Sequence, residues 1–449
     1  MTLHYPQLAE RARSQRALLP RLYDRIDFDQ PPYRFTADPE VNSSLPDWVA
    51  HREPILADDQ VVELIRTATM LGDAVADRYA ALIGQYGLHG LIGMLKQACS
   101  DGVDSVPNAP PELYAFVEAM AATPDWVDMP LVEEGARQLR TNAAFVAPFL
   151  TRGAFLGTFL NTYAALPMAL TGALSGRRAS RRVNETASFF AVTTMPGALV
   201  RGREGFEAAA MVRLMHSMVR YNALTRSDTW DSDIYGVPVP QVDQMPAGLI
   251  NIYLAAMRAR RCGRTDFNTR ERAMLEFARY RCFLLGLPEE LLPTTAEGVI
   301  RVFHARAALL RRDFDDSTCG ELVRSTMAAY LHPGRSWLER ATDAVERSWS
   351  RAFFLGFCGG NRTAAAAMSI TFGIGDAARI ALTAPFLLGR YVAVVGADNS
   401  RSRWLRRAAD KYATRTLRKR LAAYGNPEYT TDGGNYPTAN PSHPAAQDH

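Results

Sequence analysis

Apolar residues recur at helical spacing through most of this chain of 449 residues, and strand-like alternation is nearly absent. Alanine, leucine and arginine are abundant, and runs of β-branched residues are short. These features favour α-helices, because such residues have high helix propensity and the apolar period matches one helical face. We therefore predict an all-α fold, with a multi-helix, globin-like core and additional N- and C-terminal helices.

Turn signals divide the predicted helices into regions. Proline and serine clusters make residues 1 to about 56 look irregular, with helices beginning near Asp58. Asp101-Gly102 predicts a turn before the core, and His332-Pro333-Gly334 predicts another after it. The predicted regions are an irregular and helical N-terminal region, 1–110, a core, 111–335, a C-terminal helical region, 336–424, and a disordered tail, 425–449.

Charge and cysteine usage exclude several classes of protein. The net charge of +4 is mild, and basic residues are scattered except toward the C-terminus, so we expect no nucleic-acid partner. The five cysteines are far apart and form neither a zinc motif nor a haem-attachment motif. No apolar leader or twin-arginine signal is seen after Met1, which predicts a cytoplasmic protein. The oligomeric state is left open.

Two apolar stretches raise the question of membrane contact. No charged residue lies between Arg152 and Arg177, a length that could span a bilayer. Polar residues and Pro167 lower its hydrophobicity, so we interpret it as a buried helix that lines an apolar pocket. The shorter run 385–395, interrupted by Arg390, is more consistent with packing or peripheral membrane contact.

His216 is the strongest candidate ligand in the chain. It lies in a helical segment between Val212 and Val219, with Arg213 three residues before it and Arg220 four residues after it. A single imidazole on an apolar face, with cations nearby, suits axial ligation of a haem whose propionates need positive partners. Considered alone, this pattern is more typical of a core histidine. His304 is the one serious rival among the other histidines.

Further motifs precede and follow this helix. Arg182, Glu185 and Thr186 are predicted to share one face of an upstream helix. The segment 228–231 contains a tryptophan, and Gly-x-Pro-x-x-Gln-x-Asp follows at 236–243. Ala-Thr-Pro-Asp-Trp-Val-Asp at 122–128 precedes them all.

The order and spacing of these motifs resemble the bacterial latex-clearing proteins. They also resemble the wider oxygenase family grouped with those proteins, which includes the endoplasmic-reticulum oxygenase of mycophenolic acid biosynthesis. The resemblance covers roughly residues 115 to 330. It implies a non-covalent haem b whose iron is bound by His216, with Arg213 and Arg220 as additional cofactor-binding residues.

The resemblance also implies roles for the upstream helix. Arg182 and Thr186 match residues that the family places around the haem, so both are candidate catalytic residues, and Arg182 is also a candidate cofactor-binding residue. The latex-clearing proteins have a lysine where this chain has Glu185. They also use a glutamate further upstream, but no acidic residue lies between Glu134 and Glu185 here. Glu185 is therefore either a candidate base or part of a simple ion pair with Arg182.

The activity implied by the resemblance is oxidative cleavage of a carbon–carbon double bond by dioxygen, in an apolar, isoprenoid-like substrate. A non-catalytic haem protein that carries or senses dioxygen would share His216 and Arg182, and it remains the alternative. A di-iron oxygenase would require paired Glu-x-x-His motifs, and the chain has none. A membrane-associated structural protein would leave the series of motifs unexplained.

Overall fold

The computed structural model describes residues 3–49, 51–172 and 178–425, together with residues 427 and 429. The all-α prediction is confirmed, since the described residues form helices and no strand. Only two isolated bridges, Phe35 to Leu310 and Ser43 to Arg311, tie extended N-terminal backbone to the end of a helix.

The helices differ widely in length, from single turns to long core helices. They are α1 Pro6–Leu18, α2 Pro20–Tyr23, α3 Glu53–Leu56, α4 Asp59–Thr69, α5 Ala74–Ala80, α6 Ile83–Asp101, α7 Pro111–Ala121, α8 Met129–Phe145, α9 Ala147–Leu156, α10 Thr162–Leu170, α11 Arg178–Val192, α12 Glu204–Arg226, α13 Ser232–Tyr235, α14 Gln241–Arg261, α15 Thr269–Leu284, α16 Ala296–Leu309, α17 Glu321–Ala328, α18 Trp337–Phe357, α19 Arg362–Ala367, α20 Ile374–Asp398 and α21 Arg403–Tyr424. Short 3₁₀ or π turns occur at Val103–Ser105, Gly157–Phe159, Glu289–Leu291 and Asp316–Gly320.

The N-terminal region is more helical than predicted. Helices α1, α2 and α3 lie within residues 1–56, so the irregular interpretation is wrong for these stretches, whereas the described residues between α2 and α3 form no helix. Pro6 begins α1 at a position where a missing N–H costs nothing, and Leu8 packs into the main core. The prediction of a helix near Asp58 is confirmed, because its carboxylate accepts a hydrogen bond from the Val61 N–H at 3.2 Å and caps α4.

Three hydrophobic clusters hold the helices together. The main cluster joins residues of α1 and α4–α8 to residues of α11, α12 and α14–α16. A second joins α9–α11 to α17–α19, and a third joins α8 and α11 to α20 and α21. Apolar packing therefore crosses the proposed boundaries at 110 and 335, and the four-region division stays a prediction.

The segment between Arg152 and Arg177 does not form one long helix. It contains the last part of α9, a 3₁₀ turn at Gly157–Phe159 and α10, and residues 173–177 lie outside the described ranges. Asn161 breaks the segment, because its side chain caps α10 by accepting from the N–H of Tyr163. The interpretation of this stretch as packed helix is therefore favoured over a membrane span. The predicted disordered tail, 425–449, lies almost entirely outside the described residues, so it stays a prediction.

Helices α8 and α15 approach each other most closely at Gly135. A methyl group at this position would overlap the carbonyl oxygen of Ala273 and lie 2.8 Å from Cβ of Phe277. Glycine therefore permits a backbone contact that any larger residue would prevent. Because α15 also packs against α14 and α12, this contact sets the positions of helices around the candidate site.

The Gly135→Ala variant should lose about 1–3 kcal/mol of unfolding free energy, because the added methyl group overpacks the α8–α15 contact. Urea unfolding measures this loss. Gly93→Ala is the matched control, since Gly93 lies in α6 with no atom near its would-be methyl group. It should be neutral or stabilising by up to about 1 kcal/mol. Equal effects of the two substitutions would contradict the close-contact interpretation.

Candidate functional site

His216 lies on helix α12, and its side chain is in the protein interior, where it contacts helix α14. The Nδ1 atom of His216 lies 2.7 Å from the Oε1 atom of Gln244. The Nε2 atom of Gln244 in turn donates to Oε1 of Gln241 at 3.3 Å. Gln241 is fully buried and donates from its side chain to the carbonyl of Gly72 at 3.1 Å. This chain of amides fixes the orientation of the imidazole ring.

The surroundings of His216 keep its imidazole neutral. Burial lowers its pKa from 6.5 to about 4, and the positive charges of Arg220 and Arg182 add to this effect. In the neutral ring the Nδ1–H donates to Gln244, which leaves a lone pair on Nε2. No residue in the described ranges forms a hydrogen bond with Nε2. An imidazole held in this way is a typical metal ligand.

The two arginines on α12 are engaged in buried ion pairs with α5. Arg213 Nε lies 2.6 Å from Asp73 Oδ2. Arg220 Nε lies 2.9 Å from Asp77 Oδ1, and both of these side chains are fully buried. The other nitrogens of Arg220 donate to a serine hydroxyl and to the carbonyl of Val239. These contacts hold α12 against α5, and the predicted contact of either arginine with a haem propionate stays a prediction.

Helix α11 packs against α12 and carries the other candidate residues. Arg182 lies close enough to His216 to lower its pKa, and its buried Nε has no hydrogen-bond partner. The hydroxyl of Thr186 forms no hydrogen bond with any residue in the part of the chain that the structure describes. Glu185 forms ion pairs with Arg182 at 3.6 Å and with Arg181 at 3.4 Å, and its side chain is mostly buried.

The structure thus brings His216 and Arg182 together, and places Glu185 and Thr186 on the same helix as Arg182. The Arg182–Glu185 ion pair is present, and both of its side chains are largely buried. Unpartnered polar groups beside a neutral, oriented imidazole indicate a binding site, because buried polar groups are otherwise hydrogen-bonded.

The motif that follows His216, residues 230–243, is held in place by hydrogen bonds, by unusual backbone conformations and by ion pairs. The Trp230 indole donates to the carbonyl of Gly236 at 2.9 Å, and Gly236 has a φ of 69° where Pro32 packs against it. Val239 adopts a φ of 48°, an unusual backbone for a β-branched residue, and its carbonyl accepts the hydrogen bond from Arg220. Asp243 forms ion pairs with Arg34 and Arg306, each at 2.7 Å.

Sequence reasoning missed Gln244, which contacts His216, and Arg281, which contacts the same helix α14. Gln244 follows the Gln-x-Asp motif directly, and a helical register would have placed it with Gln241. Arg281 is buried on α15 and donates only to the carbonyl of Gly248, one turn beyond Gln244. Burial lowers its pKa to about 10, and among the described residues it has no carboxylate partner. No sequence signal distinguishes Arg281 from its paired neighbours.

Other candidate ligands are already engaged. His304 lies on α16, where its Nε2 is 3.0 Å from the hydroxyl of Tyr253. His332, Asp343 and Glu346 form a cluster with metal-ligand spacing. Arg152 lies within that cluster and forms ion pairs with both carboxylates, so a guanidinium occupies the place where a cation would bind.

Comparison with known proteins supports the resemblance seen in the motifs. Residues 146–358 match the family described as ER-bound oxygenase mpaB/B'/Rubber oxygenase, catalytic domain. The matched segment contains 213 of the 449 residues. It starts later and ends later than the resemblance at 115–330, but it contains His216, Arg182, Glu185 and Thr186.

The fold of this chain also has a counterpart among solved structures. A structure of latex clearing protein LCP in the closed state superposes with a TM-score of 0.55 at 17% sequence identity. The match covers 79% of this chain and 91% of that chain. At this identity the likeness shows a shared helical fold. A search of curated proteins finds no significant match.

Replacing His216 by glutamine should flatten the pH dependence of stability in the protein without added cofactor. The unfolded histidine takes up a proton near pH 6.5, whereas the folded one does so near pH 4, so wild-type stability should fall as pH falls through this window. The contribution is at most about 3 kcal/mol. Urea unfolding from pH 7.5 to 4 measures it.

His89→Gln, a substitution at an exposed histidine on α6, is the control and should keep the wild-type profile. A His216→Gln profile that parallels wild type throughout would show that the folded imidazole titrates normally.

Proposed function

We propose that this chain is a haem b-dependent oxygenase that cleaves a carbon–carbon double bond in an apolar, isoprenoid-like substrate, with dioxygen as the second substrate. The match to an oxygenase catalytic domain supports the reaction class. The observation that carries the proposal is His216, whose Nδ1 is tied to Gln244 while Nε2 has no partner in the described ranges.

The donor set fits haem. A neutral imidazole with one nitrogen anchored is the usual proximal ligand of haem iron. The unpaired Arg281 and the unpartnered Nε of Arg182 are buried cationic groups that suit propionate carboxylates. We assign Arg213 and Arg220 a positioning role, because Asp73 and Asp77 engage their guanidinium groups. Bound haem iron would supply dioxygen binding and oxygen transfer to the alkene.

The residues of α11 would act on the substrate side of the site. Thr186 has a hydroxyl available to donate a hydrogen bond, and Arg182 provides positive charge beside His216. Glu185 would accept an allylic proton from the substrate on a carboxylate oxygen, a role that a lysine at this position could not fill. Its ion pairs with Arg181 and Arg182 hold the carboxylate in place.

The His216→Ala variant should lose the haem spectrum of the wild type. Ultraviolet–visible spectra are recorded as isolated, after dithionite and under carbon monoxide, and the Soret band should collapse or shift strongly in the variant because the iron loses its axial nitrogen. His304→Ala is the matched control and should keep the wild-type spectrum, since His304 is bound to Tyr253.

A normal Soret band in His216→Ala, or a wild-type protein that takes up no haem, would overturn this assignment. A wild type that binds haem and dioxygen but converts no isoprenoid alkene to carbonyl products would support the alternative, a non-catalytic haem protein.

The Glu185→Gln variant should keep the haem spectrum and lose alkene cleavage by about 10²–10⁴-fold, the usual effect of removing a general base. Product formation by mass spectrometry measures the loss. Glu204→Gln, altered at an exposed residue of α12, should retain activity. Unchanged turnover in Glu185→Gln would leave the carboxylate with only its ion-pair role.

A further inference from the structure

Helix α20 carries an uninterrupted apolar stripe on its outer face. Ile374, Leu382 and Phe386 are 91%, 73% and 78% exposed, and Val392 continues the stripe toward the end of the helix. These residues recur at helical spacing, with alanine and glycine between them. Within the described ranges, this is the one helix long and apolar enough to cross a membrane.

All four charged side chains of α20 contact other residues of the protein, and the two aspartates are buried whereas Arg379 and Arg390 remain exposed. Asp376 is buried and pairs with Arg351 at 3.1 Å, and Arg379 donates to the hydroxyl of Ser348. The guanidinium of Arg390 lies over the Phe145 ring, 4.7 Å from its centroid. The last acid of the helix is buried in an ion pair with Arg137. The stripe itself therefore has no charged residue, and the exposed Arg379 and Arg390 are positive groups on the same helix.

The inner face of α20 is anchored along its whole length. Besides the ion pairs at its ends, the Trp349 indole donates to the hydroxyl of Thr383 at 3.0 Å. The Tyr391 hydroxyl donates to Asn142 at 2.7 Å. A helix that spanned a bilayer would have to break these contacts and expose buried charges to hydrocarbon. The geometry instead suits a helix that lies in the plane of a surface.

The neighbouring segment is strongly basic. Between residues 401 and 420 the chain has nine Lys and Arg residues and a single acid, Asp410, which pairs with Arg140. Most of the basic residues are exposed: Arg401, Arg403, Arg406, Arg407, Lys411, Arg415, Arg418 and Lys419. Trp404, which is 73% exposed, lies among them, directly after the turn that ends α20.

We propose that α20 and the first turns of α21 form a docking surface for an anionic lipid bilayer. The apolar stripe enters the interface, the exposed arginines contact acidic headgroups, and Trp404 lies at headgroup level. The charge complementarity selects an anionic membrane over a second copy of this chain, because two such basic segments would repel each other. The inference stands independently of the proposed oxygenase chemistry.

Flotation of the full chain with vesicles tests this surface. Wild type should float with vesicles that contain phosphatidylglycerol, bind pure phosphatidylcholine vesicles much more weakly, and lose binding as salt is raised. Phe386→Glu should weaken binding by at least about tenfold, because it places a charge in the apolar stripe. Leu254→Glu, altered at an exposed apolar residue of α14, should bind as wild type does.

The charge contribution is tested separately. Neutralising Arg403, Arg406 and Arg407 to glutamine together should weaken binding by at least about tenfold, given the usual attraction of each basic residue to an anionic leaflet. The same change at three exposed arginines of the N-terminal segment, Arg11, Arg21 and Arg25, is the matched control and should have little effect. Circular dichroism confirms that each variant is folded.

Three results would overturn the proposal. The first is wild type that fails to float with anionic vesicles. The second is equal binding to neutral and anionic vesicles. The third is a dimer in light scattering that Phe386→Glu converts to a monomer without any change in vesicle binding, which would assign the stripe to a second copy of the chain.

Discussion

Two buried ion pairs, Arg213 with Asp73 and Arg220 with Asp77, hold α12 against α5, and the position of His216 depends on them. Burying four charges is costly, and the cost is offset only when each charge keeps its partner and its hydrogen bonds. Removing one partner would leave an uncompensated charge and cost roughly 3–5 kcal/mol. These pairs therefore fix one axial register of α12 against α5. A purely apolar interface between the two helices would fix that register less strictly.

A chain of hydrogen bonds also orients the imidazole of His216 on this helix. Leu71 and Gly72 lie just before the aspartates of α5, and their carbonyls accept from the backbone and side chain of Gln241. Gln241 and Gln244 pass this constraint to the imidazole of His216. The short segment at residues 71–77 thus supplies both the ion-pair partners of α12 and the anchor for the histidine.

The proposed docking of helix α20 on a bilayer agrees with the substrate class proposed for the site. An apolar, isoprenoid-like substrate would be concentrated in a bilayer rather than in water, because each buried methylene favours the apolar phase. Helix α8 packs against both α20 and α11, so it connects the proposed docking surface to the helix that carries Arg182.

The helical class and the helix start at Asp58 could be predicted from sequence, because caps and apolar periods are local. The association of His216 with the Arg182 helix was implied only by the family resemblance. The partners of Arg213 and Arg220 could not be predicted, since Asp73 and Asp77 lie about 140 residues away along the chain. Nor could the absence of a carboxylate partner for Arg281 among the described residues, or the burial of the two aspartates of α20. By itself the sequence determined which residues are candidates for binding a cofactor. The tertiary structure alone decided which cations are already neutralised, because ion pairing depends on proximity in space.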